Sequence, residues 1–201
     1  YIIIMKSNLS NGYLEIFIGP MWSGKTSELF KIYKRYNLSD IPILAINYST
    51  DVRDTLHPTI TNHDKMNMNC ECGLLLSDIS DIINGNCSDS FKKANIILIN
   101  ECQFFQDAVQ WVICAVETYN KTVYICGLDG DYKREEFYNW LRLVPFCDKI
   151  TKLHSVCCGC KKHKAIFTHR TTNESKQLQL GENYEPLCRE CYINKNYDIR
   201  K

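Results

Sequence analysis

The chain of 201 residues is long enough for one domain of medium size with a full hydrophobic core, plus a small appendage. Its formal net charge is only +1 and its lysines and arginines form no long run, which argues against a nucleic acid as the main partner. Residues 1–5 are apolar but too short for a signal peptide, and no segment is apolar for long enough to span a membrane. Twelve cysteines without a secretory signal indicate a reducing compartment, so we expect a cytoplasmic protein.

Four short apolar runs alternate with helical patterns, which is typical of a parallel sheet with crossover helices. The predicted strands are residues 14–18, 41–46, 96–99 and 122–126.

The first predicted strand leads into the motif G-x-x-x-x-G-K-T, and a predicted helix follows. Such a loop wraps backbone N–H groups around nucleotide phosphates, its lysine reaches the β- and γ-phosphates, and its threonine holds Mg²⁺. With a strand before it and a helix after it, nucleotide binding explains the motif far better than an ordinary glycine-containing turn. The motif consists of Gly19, Pro20, Met21, Trp22, Ser23, Gly24, Lys25 and Thr26.

Helical periodicity predicts two amphipathic helices, at residues 26–36 and 104–119. Residues 51–93 have weak periodicity and many Asn, Asp and Ser residues, so we expect a loop-rich excursion with one short helix. After Pro145 the composition shifts toward Cys, His, Lys and Thr. We therefore predict an α/β fold of the P-loop NTPase type over residues 1–150 and a small second domain over residues 151–201.

The third predicted strand ends at Asn100 and Glu101, followed by Cys102 and Gln103. A P-loop fold places its second acidic motif at this edge of the sheet, beside the phosphates. A carboxylate there can hold Mg²⁺ through water, orient an attacking water or accept a proton from a substrate hydroxyl. The simpler alternative is that Glu101 only caps the next helix.

Two Cys-x-x-Cys pairs predict a structural zinc site in the second domain. They are Cys157 with Cys160 and Cys188 with Cys191, a spacing suited to tetrahedral Zn²⁺ with four thiolates. This segment has few large apolar residues and cannot bury enough surface alone, so the metal would supply the missing stability.

The other cysteines and the nearby histidines have simpler interpretations. Cys158 lies between two predicted ligands and is expected to be a bystander, while His163 and His169 are expected to face solvent although either could replace a thiolate. The pair Cys70-x-Cys72 lacks the spacing of a zinc knuckle, which favours a plain loop. We expect core thiols at Cys114, Cys126 and Cys147.

Several motifs, in register from about residue 12 to residue 192, resemble those of the cytosolic, zinc-containing (type II) thymidine kinases. The matching segments are the phosphate loop with Ser27-Glu28-Leu29, Glu101-x-Gln103-Phe104-Phe105, Leu128-Asp129-Gly130-x-Tyr132, and the four-cysteine tail with Tyr184. The resemblance implies transfer of the γ-phosphoryl group of ATP to the 5′-hydroxyl of thymidine, giving dTMP, with deoxyuridine as a second candidate acceptor.

The resemblance also implies roles for residues near the phosphates. Glu101 would be the general base that accepts the proton of the 5′-hydroxyl, while Lys25 and Thr26 hold phosphate and Mg²⁺. Arg53 would stabilise charge on the transferring group. It belongs to an Asp-x-Arg triplet of the family that corresponds here to Asp51, Val52 and Arg53.

For the nucleoside, the resemblance implies a pocket with aromatic and apolar walls, which suit a thymine ring. The matching wall residues are Met21, Phe104, Leu128 and Tyr132. In the family a lasso loop on the zinc domain closes over the base and reads it largely with backbone groups. The matching residues are Thr168, Leu178, Gln179, Leu180, Gly181 and Tyr184.

The chain departs from the family at Asn100, where an aspartate is usual and where an amide offers less negative charge to hydrated Mg²⁺. The family also implies a homotetramer and feedback inhibition by dTTP. Two other functions fit parts of the chain: a zinc-containing, nucleic-acid-associated ATPase, and a phosphate-dependent switch that binds a protein partner. Neither of them requires the predicted nucleoside pocket.

Overall fold

The computed structural model describes residues 11–48, 58–62, 64–172 and 183–196. Its strands are β1 (Tyr13–Gly19), β2 (Ile43–Tyr48), β3 (Thr59–Thr61), β4 (Asn67–Asn69), β5 (Glu71–Gly73), β6 (Ile96–Asn100), β7 (Thr122–Leu128), β8 (Lys149–Lys152), β9 (Ser155–Val156), β10 (Lys164–Ala165), β11 (Phe167–Arg170) and β12 (Tyr184–Leu187). Its helices are α1 (Lys25–Asn37), α2 (Leu76–Ile79), α3 (Asp89–Lys93), α4 (Ala108–Ile113) and α5 (Arg189–Lys195).

A parallel sheet of six strands, in the order β5-β2-β6-β7-β1-β8, forms the centre of the fold. The predicted α/β class is therefore confirmed. Every residue of β6 is buried, as expected for a central strand that is covered on both faces. The strand predicted at residues 41–46 begins two residues later in the structure, since Pro42 has no N–H to donate to a ladder and instead accepts from Asn95 and Ile96.

Two strands of this sheet, β5 and β8, have no counterpart among the predicted strands. Both lie at an edge, where one neighbour is absent and a continuous apolar run is not needed. β8 exposes Lys149 and Lys152 yet pairs with β1 from Glu15 to Ile18. The sheet therefore continues past residue 150, across the boundary that composition suggested.

Helices cover both faces of the sheet. On one face α1 buries Leu29, Phe30 and Ile32 in a cluster with residues of β1, β2, β6 and β7. On the other face α4 buries Trp111 and Val112 in a second, larger cluster. The two clusters pack on opposite faces of the sheet, and the strand ends carry residues of the candidate site.

The single helix predicted over residues 104–119 is wrong. The chain instead forms a 3₁₀ turn (Cys102–Phe104), then α4, then a wider π turn (Cys114–Thr118). Phe105 is extended between the first two elements, and Asp107 accepts from the backbone N–H groups of Leu76 and Ser77 at 3.0 and 2.9 Å. This tie to α2 fixes where α4 begins.

The segment between β2 and β6 holds more structure than expected. Within its described part, β3 and β4 form an antiparallel pair, and two short helices occur rather than one. Cys72 belongs to β5, so the plain-loop interpretation is wrong for Cys72, whereas Cys70 lies between β4 and β5 with its Sγ 3.7 Å from that of Cys72. Among the predicted core thiols, Cys126 is fully buried whereas Cys114 and Cys147 are only partly buried.

After β8 the chain forms a region that we call the cysteine region, comprising β9 to β12 and α5. β9 pairs with β10 and β11 pairs with β12, both antiparallel. Its buried cluster is small and consists of Cys157, Ala165, Leu187, Cys188 and Tyr192. Across the part of the chain that the structure describes, no helix is both long and apolar enough to cross a membrane.

Candidate functional site

The phosphate loop joins β1 to α1 at the carboxyl edge of the sheet. Its first glycine, Gly19, has φ of 156°, and a Cβ there would lie 2.7 Å from the carbonyl oxygen of Leu153. Its second glycine, Gly24, is left-handed with φ of 83° and gives α1 no side-chain cap. The N–H groups of the first turn of α1 therefore face the loop and favour an anion there.

The side chain of Lys25 is buried and curls back over the loop. Its Nζ donates to the carbonyl oxygen of Pro20 at 2.7 Å and lies 3.5 Å from Oγ of Ser23. Burial lowers the pKa of Lys25, and the charge of Glu101 opposes that shift. Lys25 begins α1 and Glu101 directly follows β6, so both lie at the same edge of the sheet.

Thr26 is joined to the end of β6 by a chain of neutral hydrogen bonds. Its Oγ1 donates to Oδ1 of Asn100 at 3.2 Å, and the Sγ of Cys126 donates to the same oxygen at 3.1 Å. The Nδ2 of Asn100 in turn donates to Oδ1 of Asn47 at 2.9 Å. The amide of Asn100 therefore uses both its oxygen and its nitrogen, and the nitrogen donates a hydrogen bond that an aspartate carboxylate could not donate.

Glu101 occupies a left-handed backbone position, with φ of 53°, which is strained for a residue with a side chain. Its side chain does not cap the following 3₁₀ turn, so the capping alternative is wrong. Instead Oε2 accepts from Nε2 of Gln103 at 2.6 Å. The Oε1 of the buried Gln103 accepts from the backbone N–H of Leu128 at 3.0 Å, which orients the Glu101 carboxylate from the end of β7.

The residues predicted to line a nucleoside pocket fall into two contact groups. Phe104 packs against Tyr48 and Phe137, with ring centroids 5.2 and 5.6 Å apart. Tyr132 and Tyr184 both contact Arg170, whose guanidinium carbon lies 3.9 Å from the Tyr132 ring centroid and 5.1 Å from that of Tyr184.

A hydrogen bond connects the phosphate loop to the cysteine region. The backbone N–H of Met21 donates to Oγ1 of Thr168 at 3.1 Å, and Thr168 is buried. Two residues predicted to contact the nucleoside, one from each region, therefore lie side by side.

The four cysteines of the two pairs converge in the cysteine region. Their sulfur atoms all lie within 4.8 Å of one another, with Cys160 and Cys188 at 3.9 Å. Tetrahedral coordination with a metal–sulfur distance of about 2.3 Å requires sulfurs about 3.8 Å apart. The four residues, Cys157, Cys160, Cys188 and Cys191, could therefore hold a metal ion with little movement.

The ionisation of these thiols also fits a cation. Burial raises the pKa of Cys157, but hydrogen bonds from the backbone N–H groups of Cys160, Cys188 and Gly159 outweigh it and lower the pKa to about 6. The neighbouring Cys188 raises the pKa of Cys191 to about 12. Four adjacent thiols cannot all ionise without a compensating charge, and a bound divalent ion would supply it.

Neighbouring side chains stay outside this cluster. Cys158 is exposed, and His163 is exposed with its Nδ1 3.7 Å from Sγ of Cys160. The expectation that His169 faces solvent is wrong, because its ring contacts Tyr192 and its Nδ1 lies 3.1 Å from Nδ2 of Asn196. Burial lowers the pKa of His169.

Some predicted site residues lie outside the described residues. They are Asp51, Val52, Arg53, Leu178, Gln179, Leu180 and Gly181.

Two polar residues at this edge of the sheet, Asn47 and Asp129, are absent from the predicted site. Asn47 lies in β2 directly beside Asn100, and Asp129 follows β7 and pairs with Lys152 at 2.8 Å. A signal was available, since each is a polar residue at the carboxyl end of a strand in a parallel sheet.

Comparison with known proteins identifies the family. A family model described as thymidine kinase matches residues 12–192. The thymidine kinase of Sheeppox virus (strain KS-1) is 35% identical over 184 residues, which cover 90% of this chain and 97% of the viral protein. That of Vaccinia virus (strain Western Reserve) is 33% identical over 189 residues, covering 92% and 99%. The cytosolic thymidine kinase of Cricetulus griseus is 32% identical over 190 residues, covering 93% of this chain and 76% of the hamster protein.

Among solved structures, domain III of the Thermotoga maritima replication initiation protein DnaA aligns with a TM-score of 0.40 at 20% identity, covering 75% of this chain and 61% of that chain. A similarity this weak supports no conclusion about this chain. The family model and the relatives, by contrast, extend over nearly its whole length, and the chain belongs to the thymidine kinase family.

Proposed function

We propose that the chain transfers the γ-phosphoryl group of ATP to the 5′-hydroxyl of thymidine, giving dTMP, and that deoxyuridine is a second acceptor. One observation carries this proposal beyond family membership. Lys25 at the start of α1 and Glu101 directly after β6 lie at the carboxyl edge of one parallel sheet, where their neighbours Thr26 and Asn100 are hydrogen-bonded at 3.2 Å. This arrangement suits a phosphate-binding cation facing a base for the attacking hydroxyl.

In this proposal the phosphate loop binds ATP through its backbone N–H groups and through Lys25. Lys25 and Arg53 stabilise the negative charge that develops on the transferring group. Because Lys25 is already buried, its charge is little screened by water. The residues around the phosphates would be Gly19 to Thr26, then Asp51, Val52, Arg53, Asn100, Glu101, Cys102 and Gln103.

Thr26 would be the ligand for Mg²⁺ that accompanies ATP. Its hydroxyl proton is donated to Asn100, which leaves the oxygen lone pairs of Thr26 free to face a metal ion. When bound, Mg²⁺ neutralises charge on the β- and γ-phosphates. Asn100 would act here without a charge of its own, so we expect it to attract hydrated Mg²⁺ more weakly than an aspartate would.

Glu101 would accept the proton of the thymidine 5′-hydroxyl. Gln103 donates to one carboxylate oxygen and so fixes the orientation of the group, while the other oxygen remains available to the substrate.

The thymine ring would lie among Met21, Phe104, Leu128 and Tyr132 on the sheet side. Thr168, Leu178, Gln179, Leu180, Gly181 and Tyr184 would close over it from the cysteine region. The contact of Met21 with Thr168 and of Arg170 with both tyrosines supports a pocket formed jointly by the two regions.

The four cysteines would hold structural Zn²⁺. We propose a kinase domain that ends after β8 and a zinc-binding domain that carries the lasso, close to the division at residue 150 expected from composition. A cytoplasmic location, a homotetramer and inhibition by dTTP complete the proposal by analogy with the family.

Incubation of the protein with Mg-ATP and each of the four deoxynucleosides or deoxyuridine, followed by chromatography of the products, tests the proposal. We expect the monophosphate from thymidine and, at a lower rate, from deoxyuridine. If ATP is hydrolysed without any nucleoside monophosphate, the chain acts as an ATPase and the proposal is wrong.

A further inference from the structure

A tight turn after β7 points an arginine toward the cysteine region. The carboxylate of the buried Asp131 accepts from the backbone N–H groups of Lys133 and Glu135 at 2.8 and 2.9 Å. The backbone N–H of Asp131 in turn donates to the carbonyl oxygen of Glu135. These bonds close the turn around Arg134, which adopts a left-handed backbone with φ of 70°. Such a backbone conformation is strained for arginine, so we expect the Arg134 side chain to make a contact that depends on it.

The guanidinium of Arg134 packs on two aromatic rings of the cysteine region. Its central carbon lies 5.3 Å from the ring centroid of Phe167 in β11 and 4.9 Å from that of Tyr192 in α5. The two rings are themselves 5.1 Å apart. Arg189 packs on Phe167 at 5.0 Å. A planar cation that contacts two packed rings is held more strongly than one exposed on a single ring.

A second arginine makes the reverse contact. Arg170 belongs to β11 and packs on Tyr132, which lies two residues before Arg134 in the turn. The same guanidinium donates to Oη of Tyr184 at 2.6 Å. In addition, Oη of Tyr192 donates to the carbonyl of Tyr132 at 2.5 Å. Arg134 of the turn thus contacts aromatic rings of the cysteine region, and Arg170 of the cysteine region contacts an aromatic ring of the turn.

We propose that Arg134 is a positioning residue that couples the folded cysteine region to the nucleoside pocket. Tyr192 directly follows the metal-ligand candidate Cys191 and is one of the few residues that form the buried cluster of this region. Arg134 packs on Tyr192 and Phe167. When the buried cluster of the cysteine region is folded, this contact fixes the position of the turn that carries Tyr132. The assignment of Tyr132 to the pocket rests on the proposed function, whereas the contact between the two regions does not.

The test compares Arg134→Ala, Arg134→Gly and Arg134→Lys with wild type and with Arg142→Ala, which removes one exposed arginine elsewhere. Two quantities are measured on zinc-loaded protein: the KM for thymidine against the KM for ATP, and the rate at which a chelator removes the zinc. Glycine relieves the left-handed strain while it still removes the guanidinium, so the Ala and Gly variants separate backbone from side chain.

For Arg134→Ala and Arg134→Gly we expect the KM for thymidine to rise about tenfold and that for ATP to change less than about twofold. Zinc loss should be about tenfold faster in both. Lysine restores part of each effect, since an ammonium can sit on one ring but cannot stack on two. Arg142→Ala should match wild type in both measurements.

An equal rise in both KM values, or recovery by glycine alone, would mean that Arg134 only affects the stability of its own turn, and the proposal would be overturned. If wild type phosphorylates no nucleoside, the proposed function fails, and the chelator experiment still decides the coupling. Equal zinc-release rates in wild type and Arg134→Ala would then refute it, and a faster rate in the variant would support it.

Discussion

The phosphate edge of the sheet and the cysteine region reach a defined geometry by different means. At the phosphate edge, Lys25, Thr26, Asn100 and Glu101 lie on elements anchored by two large buried clusters. In the cysteine region, the buried cluster has five residues, and two of them are candidate metal ligands. Hydrophobic burial therefore determines the geometry of the phosphate edge, whereas in the cysteine region the proposed metal would have to supply most of the stability.

This difference predicts different responses to damage. A substitution at the phosphate edge should change chemistry or binding and leave the sheet intact, because hydrophobic burial holds the strands. Loss of the metal should unfold the cysteine region locally, because little apolar surface remains to stabilise it.

The largest effect expected in the cysteine region is that of Cys160→Ser on metal binding. Removal of one of four thiolates should weaken zinc affinity by about 100-fold, since zinc sites of this type are worth roughly 10–16 kcal/mol in total. Metal content after dialysis and competition with a chelator measure it, and far-UV circular dichroism should show the parallel sheet retained. The matched control is Cys158→Ser, which changes the exposed cysteine of the same turn and should bind zinc as wild type does. Equal zinc loss in both variants would contradict the ligand assignment.

A smaller effect is expected for Asn100→Asp. A carboxylate beside Thr26 adds negative charge near the proposed Mg²⁺, so the Mg²⁺ concentration for half-maximal activity should fall about fivefold. The control, Asn95→Asp, adds the same charge at an exposed position before β6, at the opposite end of the strand. If Asn100→Asp is inactive at every Mg²⁺ concentration, the hydrogen bond that Asn100 donates to Asn47 is itself required.

The smallest effect concerns the hydrogen bond between the two regions. Thr168→Val removes the oxygen that accepts from the N–H of Met21, and this should raise the KM for ATP about threefold. Thr168→Ser retains the acceptor and should leave the KM for ATP unchanged. An identical KM for ATP in wild type and Thr168→Val would show that the phosphate loop keeps its shape without the cysteine region.

Local sequence patterns predicted the parts of the molecule whose geometry is local. The phosphate loop follows from its glycines and from the apolar run before it, and β6 and β7 follow from continuous apolar residues that are buried on both faces. The paired cysteines also predicted their own convergence, since the ligand spacing requires it.

Features that depend on contacts distant in sequence could not be predicted in this way. β8 is polar and exposed, and only its pairing with β1 makes it a strand. The break before α4 depends on Asp107 binding the backbone of α2, and the role of Asn47 depends on a neighbour 53 positions away in the sequence. The periodic spacing of apolar residues contains no information about such contacts between distant residues.

The central claim is that Glu101 removes a proton from thymidine at a site where Lys25 holds the phosphates. Single-turnover transfer from labelled ATP to thymidine, measured for Glu101→Gln alongside the Kd for ATP, tests it most directly, with Glu117→Gln on the exposed surface as control. We predict a transfer rate about 10²- to 10⁴-fold below wild type and a Kd for ATP within about twofold. A transfer rate within about tenfold of wild type, or a loss of rate that simply follows lost ATP affinity, would contradict the claim.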